Sequence, residues 1–282
     1  MAVLIDGKQV SAQIRSELKQ EIAGIASSLG RSVGLAVIMV GQDPASAIYV
    51  RNKIRACEEV GIKSFSYPLE ETAQEGQIIS LIEKLNKDEN VDGILLQLPL
   101  PKGLDEAKIA AHISDEKDVD GFSAYNVGRL MLGDPTYISC TPYGVLELLK
   151  RYNIPISGKN AVIVGRSNIV GKPMFHLLLK ENATVTVCHS KTVGLKDIVG
   201  RADIVVAAIG KAKFITADMI KDGAVVIDVG INRVDGKVVG DVDFDNVKEK
   251  VSFITPVPGG VGPMTITMLL KNTVQSAKRK IK

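Results

Sequence analysis

The sequence predicts an α/β protein of two domains with a mostly parallel sheet, and two observations support this prediction. Apolar and β-branched runs bounded by turn residues alternate with stretches of helical period over most of the 282 residues, a pattern typical of βα units. At 115–142, turn residues and charges interrupt both periods, which indicates a domain boundary near residue 120 and a cleft at that boundary.

The individual elements are predicted from hydrophobic period and turn signals. In the first half we expect strands at 33–40, 62–67 and 93–98, separated by helices at 45–60 and 74–87. In the second half, short β-branched runs predict buried parallel strands at 161–164, 184–188, 204–208 and 225–229. The expected organisation is a first α/β domain at 1–119, a Rossmann-like domain at 120–262, and an amphipathic helix at 263–282 that packs back on the first domain.

Composition excludes several function classes. A net charge of +3 is too mild to favour nucleic acid as a partner. Three cysteines and three histidines are scattered without ligand spacing, so we expect neither a disulfide framework nor a bound metal. No apolar run approaches the ~20 residues that cross a bilayer, and the N-terminus lacks a signal-peptide pattern. We therefore expect a cytoplasmic protein that does not bind membranes.

A glycine turn in the second half predicts a dinucleotide site. Gly165 ends the strand at 161–164, Gly171 opens the helix that follows, and the next strand begins at residue 184. Glycines at such a turn let the backbone approach a pyrophosphate, which the N-terminus of the helix favours. The spacing differs from GxGxxG, and the second glycine comes one residue late for a P-loop, so the strand–turn–helix–strand context carries the prediction.

The tip of the second strand favours NADP over NAD. An NAD site usually carries an acidic residue there for the ribose 2′-hydroxyl, whereas this chain has Cys188, His189, Ser190 and Lys191. Arg166 and Ser190 suit a 2′-phosphate, because a guanidinium and a hydroxyl can both donate to it. The alternative is that both are ordinary polar residues of a loop.

A tyrosine and a lysine form the candidate catalytic pair. Asp43 and Pro44 mark the start of a helix, on which Tyr49 and Lys53 are four residues apart and share a face. Such a pair is usually a plain surface pair, but Lys53 can also exchange protons with a reacting group while the Tyr49 ring packs on a substrate. Short-chain dehydrogenases also carry YxxxK, but after the glycine turn, whereas here the pair precedes it.

Three further segments fit the rim of a cleft. GILLQLPLP places Gln97 at a strand end, where it could bond Lys53, and KDVDGF offers Asp120 to the N–H groups of a heterocycle. TPVPGGVGPMT is rich in glycine, which lets a flat ligand lie against the backbone. Tight turns without a binding role are the alternative for each segment.

Taken together, YVRNKIRACEEVGI, GILLQLPLP, KDVDGF, GRSNIVGKP, CHS and TPVPGGVGPMT resemble the bifunctional methylenetetrahydrofolate dehydrogenase/methenyltetrahydrofolate cyclohydrolase family over nearly the whole chain. The resemblance implies a homodimeric two-domain enzyme with one cleft. Such an enzyme oxidises 5,10-methylenetetrahydrofolate to 5,10-methenyltetrahydrofolate with NADP and hydrolyses that to 10-formyltetrahydrofolate.

The resemblance also implies roles for single residues. Lys53 is the expected general acid/base of the hydrolysis, Tyr49 stacks on the folate, Gln97 orients Lys53, and Asp120 holds the pterin. The expected folate pocket also includes Leu96, Leu98, Pro258, Gly259, Gly260, Val261 and Gly262. The residues expected at NADP are Gly165, Arg166, Ser167, Ser190 and Ile231.

Two other classes remain open at this point. One is an NADP-dependent dehydrogenase of another small substrate without cyclohydrolase activity, which a reduction assay without folate would reveal. The other is a catalytically silent nucleotide-binding module, which would have no use for Lys53, Gln97 and Asp120.

Overall fold

The computed structural model describes residues 2–281, in which strands and helices alternate. The strands are β1 (Val3–Leu4), β2 (Gly34–Val40), β3 (Lys63–Leu69), β4 (Gly93–Leu96), β5 (Asn160–Val164), β6 (Thr184–Cys188), β7 (Ile204–Ala207), β8 (Val225–Asp228), β9 (Asn232–Val234), β10 (Lys237–Val239) and β11 (Phe253–Ile254). The helices are α1 (Gly7–Leu29), α2 (Pro44–Val60), α3 (Glu75–Lys87), α4 (Glu106–Ala110), α5 (Ala124–Met131), α6 (Cys140–Arg151), α7 (Gly171–Lys180), α8 (Leu195–Val199), α9 (Phe244–Val247) and α10 (Val261–Lys278), with a 3₁₀ turn at Ala217–Met219.

The strands form two parallel sheets and one hairpin. The larger sheet has the order β1-β11-β8-β7-β5-β6, and every neighbouring pair in it is parallel. The smaller sheet has the order β3-β2-β4 and is also parallel, while β9 and β10 pair antiparallel. The predicted α/β class with mostly parallel sheets is confirmed.

The chain divides into two compact units. The first unit contains Met1–Ala12, Leu130–Asp134 and Ser139–Thr265, and therefore holds the six-stranded sheet. The second unit contains Gln13–Arg129, Pro135–Ile138 and Ile266–Lys282, and holds the three-stranded sheet together with most of α10. The predicted domain limits of 1–119, 120–262 and 263–282 stay a prediction.

In the second unit, β2 is central because nearly all of its residues are apolar. Its sequence GLAVIMV is buried along almost the whole strand, as expected for a strand with neighbours on both edges and cover on both faces. Helix α3 packs on this sheet through Ile78, Ile82 and Leu85, which recur at helical spacing and are at most 1% exposed. Gly61 ends α2 in the left-handed conformation (φ 88°) that glycine adopts without strain.

A buried lysine caps the C-terminus of α3. The Lys117 ammonium donates to the carbonyl oxygens of Leu85 at 2.8 Å and of Asp88 at 2.7 Å. These carbonyls lie where the regular helical bonds stop, and the Leu85 carbonyl also accepts the Asp88 N–H at 3.2 Å. Burial lowers the pKa of Lys117 to about 8, and the nearby charge of Lys280 acts in the same direction.

In the first unit, β5, β7 and β8 are buried on both faces, and their apolar side chains form a core with those of the helices around them. This burial explains the short β-branched runs, since a parallel strand covered on both faces has no polar side.

Three predicted elements have bounds that differ from the structure by two residues or more. The strand predicted at 62–67 is Lys63–Leu69 and continues for two residues beyond its predicted end. The strand predicted at 93–98 ends at Leu96. The Gln97 N–H still donates to the Ile38 carbonyl, but the chain bends at residues 98–99 and Pro99 has no N–H for a ladder. The helix predicted at 263–282 is Val261–Lys278; Pro263 lies in its first turn, where proline is tolerated. Residue 282 lies outside the described residues.

Candidate active site

Lys53 and Gln97 form the centre of the site in the second unit. The Lys53 ammonium (Nζ) donates to the Gln97 amide oxygen (Oε1) at 3.0 Å, and both side chains are half-buried. Lys53 lies on α2, whose start is fixed by the Asp43 carboxylate that accepts the Ser46 N–H at 2.7 Å. The contact that the sequence predicted between Lys53 and Gln97 is therefore present.

The amide of Gln97 has one orientation because both of its ends are bonded. Its Nε2 donates to the Leu98 carbonyl at 2.6 Å, so its Oε1 is the atom that faces Lys53. The Gln97 N–H donates to the Ile38 carbonyl at 2.9 Å, which places the residue directly after β4. A neutral acceptor at this point orients the ammonium without neutralising its charge.

Tyr49 lies one helical turn before Lys53 on α2, on the same face of that helix. Its side chain is 46% exposed, which is high for an aromatic ring and leaves a face open for a flat ligand. Leu96 is buried and Leu98 is half-buried on either side of Gln97. Tyr49 and Lys53 are thus neighbours on α2, and Lys53 is bonded to Gln97 at the end of β4.

Asp120 lies half-buried in a turn that a different aspartate holds in place. The Asp118 carboxylate accepts the N–H groups of Gly121 at 3.1 Å and Ser123 at 2.7 Å, and the Asn126 amide at 2.9 Å. Burial raises the pKa of Asp118, opposed by these donors. Sequence reasoning missed Asp118, although aspartate three residues before glycine is a common turn signal.

Residues 258–260 form a tight turn in the first unit, and Val261 and Gly262 begin α10. The Gly260 N–H donates to the Pro256 carbonyl at 2.8 Å, and the Lys8 N–H donates to the Gly259 carbonyl at 3.2 Å. A Cβ on Gly7 would lie 1.7 Å from the Gly260 carbonyl oxygen. The backbones of α1 and this turn therefore touch, and position 7 must be glycine for this contact.

A cavity of about 580 Å³ lies at the glycine turn of the first unit. Four of the predicted cofactor residues line it: Gly165, Arg166, Ser167 and Ser190. The other lining residues are Val164, His189, Thr192, Leu195, Ala208, Ile209, Lys211 and Phe214. Ile231 is not among these residues; it is 54% exposed between β8 and β9.

Only glycine fits at two positions of this turn, because the neighbouring backbone lies too close for a Cβ. Gly165 has φ 134°, and a Cβ there would lie 2.1 Å from the Ala208 carbonyl oxygen. A Cβ on Gly171 would lie 2.2 Å from the Gly165 carbonyl oxygen. The Ser167 hydroxyl accepts the Val170 N–H at 3.1 Å at the start of α7.

The mostly apolar wall of the cavity carries two cations and several hydroxyl groups. Arg166 and Lys211 contribute two cations, and Ser190, which is exposed, adds a hydroxyl. The Lys211 ammonium lies 5.6 Å from the centre of the Phe214 ring. The space beside Gly165 and Gly171 exists because these residues have no Cβ, and two cations lie next to it. This arrangement fits a nucleotide with several phosphates. Sequence reasoning missed Lys211 and Phe214, since they follow β7 without a recognisable motif.

Among residues 2–281, no group of three or more His, Cys, Asp or Glu side chains is placed to hold a metal ion. None of the helices described is long and apolar enough to cross a membrane.

The fold and the site define an α/β enzyme that combines a dinucleotide-binding unit with a lysine–glutamine pair on a separate α/β unit. Residues 5–120 match the catalytic domain of tetrahydrofolate dehydrogenase/cyclohydrolase, and residues 139–281 match the NAD(P)-binding domain of the same enzymes. The chain belongs to the tetrahydrofolate dehydrogenase/cyclohydrolase family.

Full-length relatives support this assignment. The bifunctional protein FolD of Agathobacter rectalis is 60% identical over 280 residues, covering 99% of this chain and 100% of the relative. The protein of the same name from Halalkalibacterium halodurans is 55% identical, covering 98% of this chain and 99% of the relative.

Solved structures agree with the fold throughout the chain. The bifunctional FolD enzyme of Campylobacter jejuni, a methylenetetrahydrofolate dehydrogenase/cyclohydrolase, superposes with a TM-score of 0.97 at 51% identity, covering 99% of this chain and 100% of that chain. The Trypanosoma brucei enzyme, complexed with NADP and an inhibitor, gives 0.95 at 40% identity and covers 100% of this chain and 99% of that chain. The family and fold predicted from the sequence are confirmed, while the roles of single residues stay predictions.

Proposed function

We propose that this chain carries out two successive reactions on a one-carbon tetrahydrofolate. It oxidises 5,10-methylenetetrahydrofolate to 5,10-methenyltetrahydrofolate with NADP, and it hydrolyses the product to 10-formyltetrahydrofolate. The observation that carries the proposal is the 3.0 Å bond from Lys53 to Gln97 beside an exposed Tyr49, in a chain of this family that also has a nucleotide cavity.

Lys53 is the proton carrier of the hydrolysis. Water adds to the methenyl carbon and must lose a proton, the ring nitrogen that leaves this carbon must gain one, and the hydroxyl that becomes the formyl oxygen releases its proton to solvent. A single amine can accept the first proton and deliver the second, so one side chain serves both transfers. Lys53 suits this role because it is half-buried and held by a neutral acceptor, Gln97.

Gln97 is a positioning residue for Lys53. Its amide is held by the Leu98 carbonyl, so its oxygen stays directed at the ammonium while the amine gains or loses a proton. A fixed acceptor restricts the long lysine side chain to one direction, which lowers the entropy lost on reaching the reacting atoms.

The folate ring packs on Tyr49, whose open face offers stacking area, with Leu96 and Leu98 as the apolar residues beside Gln97. Asp120 accepts N–H bonds from the pterin, and its turn is held by the buried Asp118. Residues 258–262 of the first unit are assigned to the folate by the family resemblance alone.

NADP fits the cavity at the glycine turn. Gly165 and Ser167 leave room for the pyrophosphate, Arg166 and Ser190 bind the 2′-phosphate, and Ile231 contacts the dinucleotide from outside the lining of this cavity. The nicotinamide ring accepts a hydride when it is bound, and the chain contributes binding and alignment to that step rather than an acid or base.

Lys53→Met tests the proposal because the variant keeps the length of the side chain and removes the ammonium. Hydrolysis of methenyltetrahydrofolate should fall ~100-fold or more, as expected for loss of a general acid/base. Oxidation should survive in part, so methenyltetrahydrofolate should accumulate when methylenetetrahydrofolate and NADP are supplied together. The spectrum of the methenyl form and the appearance of NADPH follow the two steps separately.

Lys19→Met is the matched control, since Lys19 is exposed on α1 and the chemical change is the same. It should leave both rates unchanged. Unchanged hydrolysis in Lys53→Met would make Lys53 a bystander. Equal loss of both activities with weaker folate binding would make it a binding residue instead.

We further propose that the enzyme is a homodimer of the cytoplasm. The family resemblance supports the dimer, and three free, buried thiols, Cys57, Cys140 and Cys188, suit a reducing compartment. Sedimentation at micromolar concentration tests the dimer, and a stable monomer contradicts it.

A further inference from the structure

A buried carboxylate accepts hydrogen bonds from the backbone of one wall of the nucleotide cavity and lies outside the cavity itself. Residues 209–211 follow β7, and both Ile209 and Lys211 line the cavity. The Asp241 side chain accepts the N–H groups of all three residues: Ile209 at 2.6 Å, Gly210 at 2.9 Å and Lys211 at 2.9 Å. A carboxylate that accepts three successive backbone N–H groups holds that stretch of backbone in one conformation.

Asp241 itself does not face the cavity. It is 0% exposed, is not among the lining residues, and its Oδ1 also accepts the Asn232 side-chain amide at 2.9 Å. With four donors on two oxygens, the charge of Asp241 is balanced within the fold. Any effect of Asp241 on a ligand must therefore pass through the groups that it binds, which are residues 209–211 and Asn232.

A second buried carboxylate holds the backbone of Asp241. Asp228, at the end of β8, accepts the N–H groups of Gly230, Asp241 and Val242, each at 2.9 Å. Burial, with the charge of Asp241 as a lesser cause, raises the pKa of Asp228 to about 6. The two aspartates thus form a relay of hydrogen bonds from the end of β8 to the cavity wall.

Two glycines make this relay possible. A Cβ on Gly230 would lie 2.2 Å from the Asp241 carboxylate, and a Cβ on Gly240 would lie 1.8 Å from the Asp228 carboxylate. Each carboxylate therefore packs directly against a backbone without a side chain. Gly210 has φ 72°, so residues 209–211 also adopt a conformation that most residues avoid.

We propose that Asp241 is a positioning residue of the nucleotide site, which sets the wall formed by residues 209–211 so that it accepts the dinucleotide. This inference rests on the proposed function in that the ligand is NADP. It adds to that function a residue outside the cavity whose carboxylate governs affinity for the cofactor and leaves the hydrolysis unaffected.

Asp241→Asn tests the proposal with an almost isosteric change. One carboxylate oxygen becomes an NH₂ group, which cannot accept the backbone N–H groups that face it. NADP affinity, measured by calorimetry without folate, should fall roughly 10- to 100-fold, as expected for the loss of one or two bonds to a charged group. Hydrolysis of methenyltetrahydrofolate supplied directly, without NADP, should stay within about twofold of the unmodified enzyme.

Hydrogen exchange gives a readout that needs neither substrate nor cofactor. In the unmodified chain without ligand, the amides of residues 209–211 should be protected, because each donates to Asp241. They should exchange at least roughly tenfold faster in Asp241→Asn, while the amides of β5 keep their rates. Exchange at unprotected rates in the unmodified chain overturns the proposal even if the variant fails to fold.

Asp243→Asn is the matched control. It makes the same chemical change two residues further on, where the carboxylate bonds the Asn246 side chain at 2.6 Å. It should leave NADP affinity and the exchange of residues 209–211 unchanged. If the unmodified chain does not bind NADP, the proposed function fails and this inference with it. If the unmodified chain binds NADP and Asp241→Asn binds it equally well, only this inference fails.

Discussion

Replacing Gln97 by methionine tests whether this residue acts through Lys53. Methionine fills a similar volume but cannot accept the Lys53 bond of 3.0 Å or donate to the Leu98 carbonyl. A hydrogen bond to a charged group contributes ~1.5–3 kcal/mol. Both side chains are half-buried, so water competes and the lower end applies. A loss of ~1.5 kcal/mol corresponds to a roughly tenfold slower hydrolysis.

The double variant carries the decisive comparison. If Gln97 only orients the ammonium, its loss matters little once the ammonium is gone. The double variant Lys53→Met/Gln97→Met should therefore hydrolyse methenyltetrahydrofolate at the rate of Lys53→Met alone. The activation free energies of the two proteins should agree within ~0.3–0.5 kcal/mol, which is the usual deviation from additivity for independent sites. Groups that act as a unit show this non-additivity.

The assay follows the decay of methenyltetrahydrofolate, supplied directly and without NADP, in the four proteins of the cycle. Gln20→Met, an exposed glutamine of α1, is the control for the chemical change. Fully additive losses would show that Gln97 works independently of Lys53. An unchanged rate in Gln97→Met would show that the hydrogen bond contributes nothing to hydrolysis.

Three further predictions concern cofactor choice, pH and packing. Arg166→Ala should weaken NADP binding roughly tenfold or more and NAD binding far less, because the guanidinium is assigned to the 2′-phosphate; equal losses in calorimetry would show that this assignment is wrong. Because the pKa of Lys117 lies at about 8 instead of 10.5, the unfolded chain binds more protons between these values and the free energy of unfolding should rise with pH there. Lys117→Met should flatten that rise in urea titrations, and an equally steep rise would contradict this. Gly7→Ala should lower the urea midpoint, since its Cβ would meet Gly260 at 1.7 Å. Gly24 lies on the same helix with open space beside it, so Gly24→Ala should raise the free energy of unfolding by roughly 0.5–1 kcal/mol. Equal shifts of the urea midpoint in the two variants would refute the packing argument.

Most elements could be predicted because their pattern is local. The stretch GLAVIMV is apolar on both faces and became the buried central strand β2. Asp43, Pro44 and Gly61 mark both ends of α2, which starts one residue before its predicted position. The predicted end of β4 lies two residues beyond the observed end, because the apolar pattern extends to Leu98 whereas regular strand pairing stops at Leu96.

The site could be predicted only in part. Tyr49 and Lys53 share one helix, so their spacing already predicted that they are neighbours. The hydrogen bond from Lys53 to Gln97 joins residues 44 positions apart. The prediction of this bond rests on the unusual position of Gln97 at a strand end, because no sequence pattern links Gln97 to Lys53.

By itself, the sequence determined the α/β class, the glycine turn at Gly165 and the family, because hydrophobic period, turn chemistry and short motifs are properties of neighbouring residues. Only the tertiary structure decided that Asp241 binds the backbone of residues 209–211, and that Gly7 lies against Gly260. These contacts join residues at least 30 positions apart, and an aspartate or a glycine in a loop has the same local signature whether or not such a partner exists. The partner is set by how strands and helices pack, because burial requires each carboxylate to find donors and each close backbone contact to lack a Cβ.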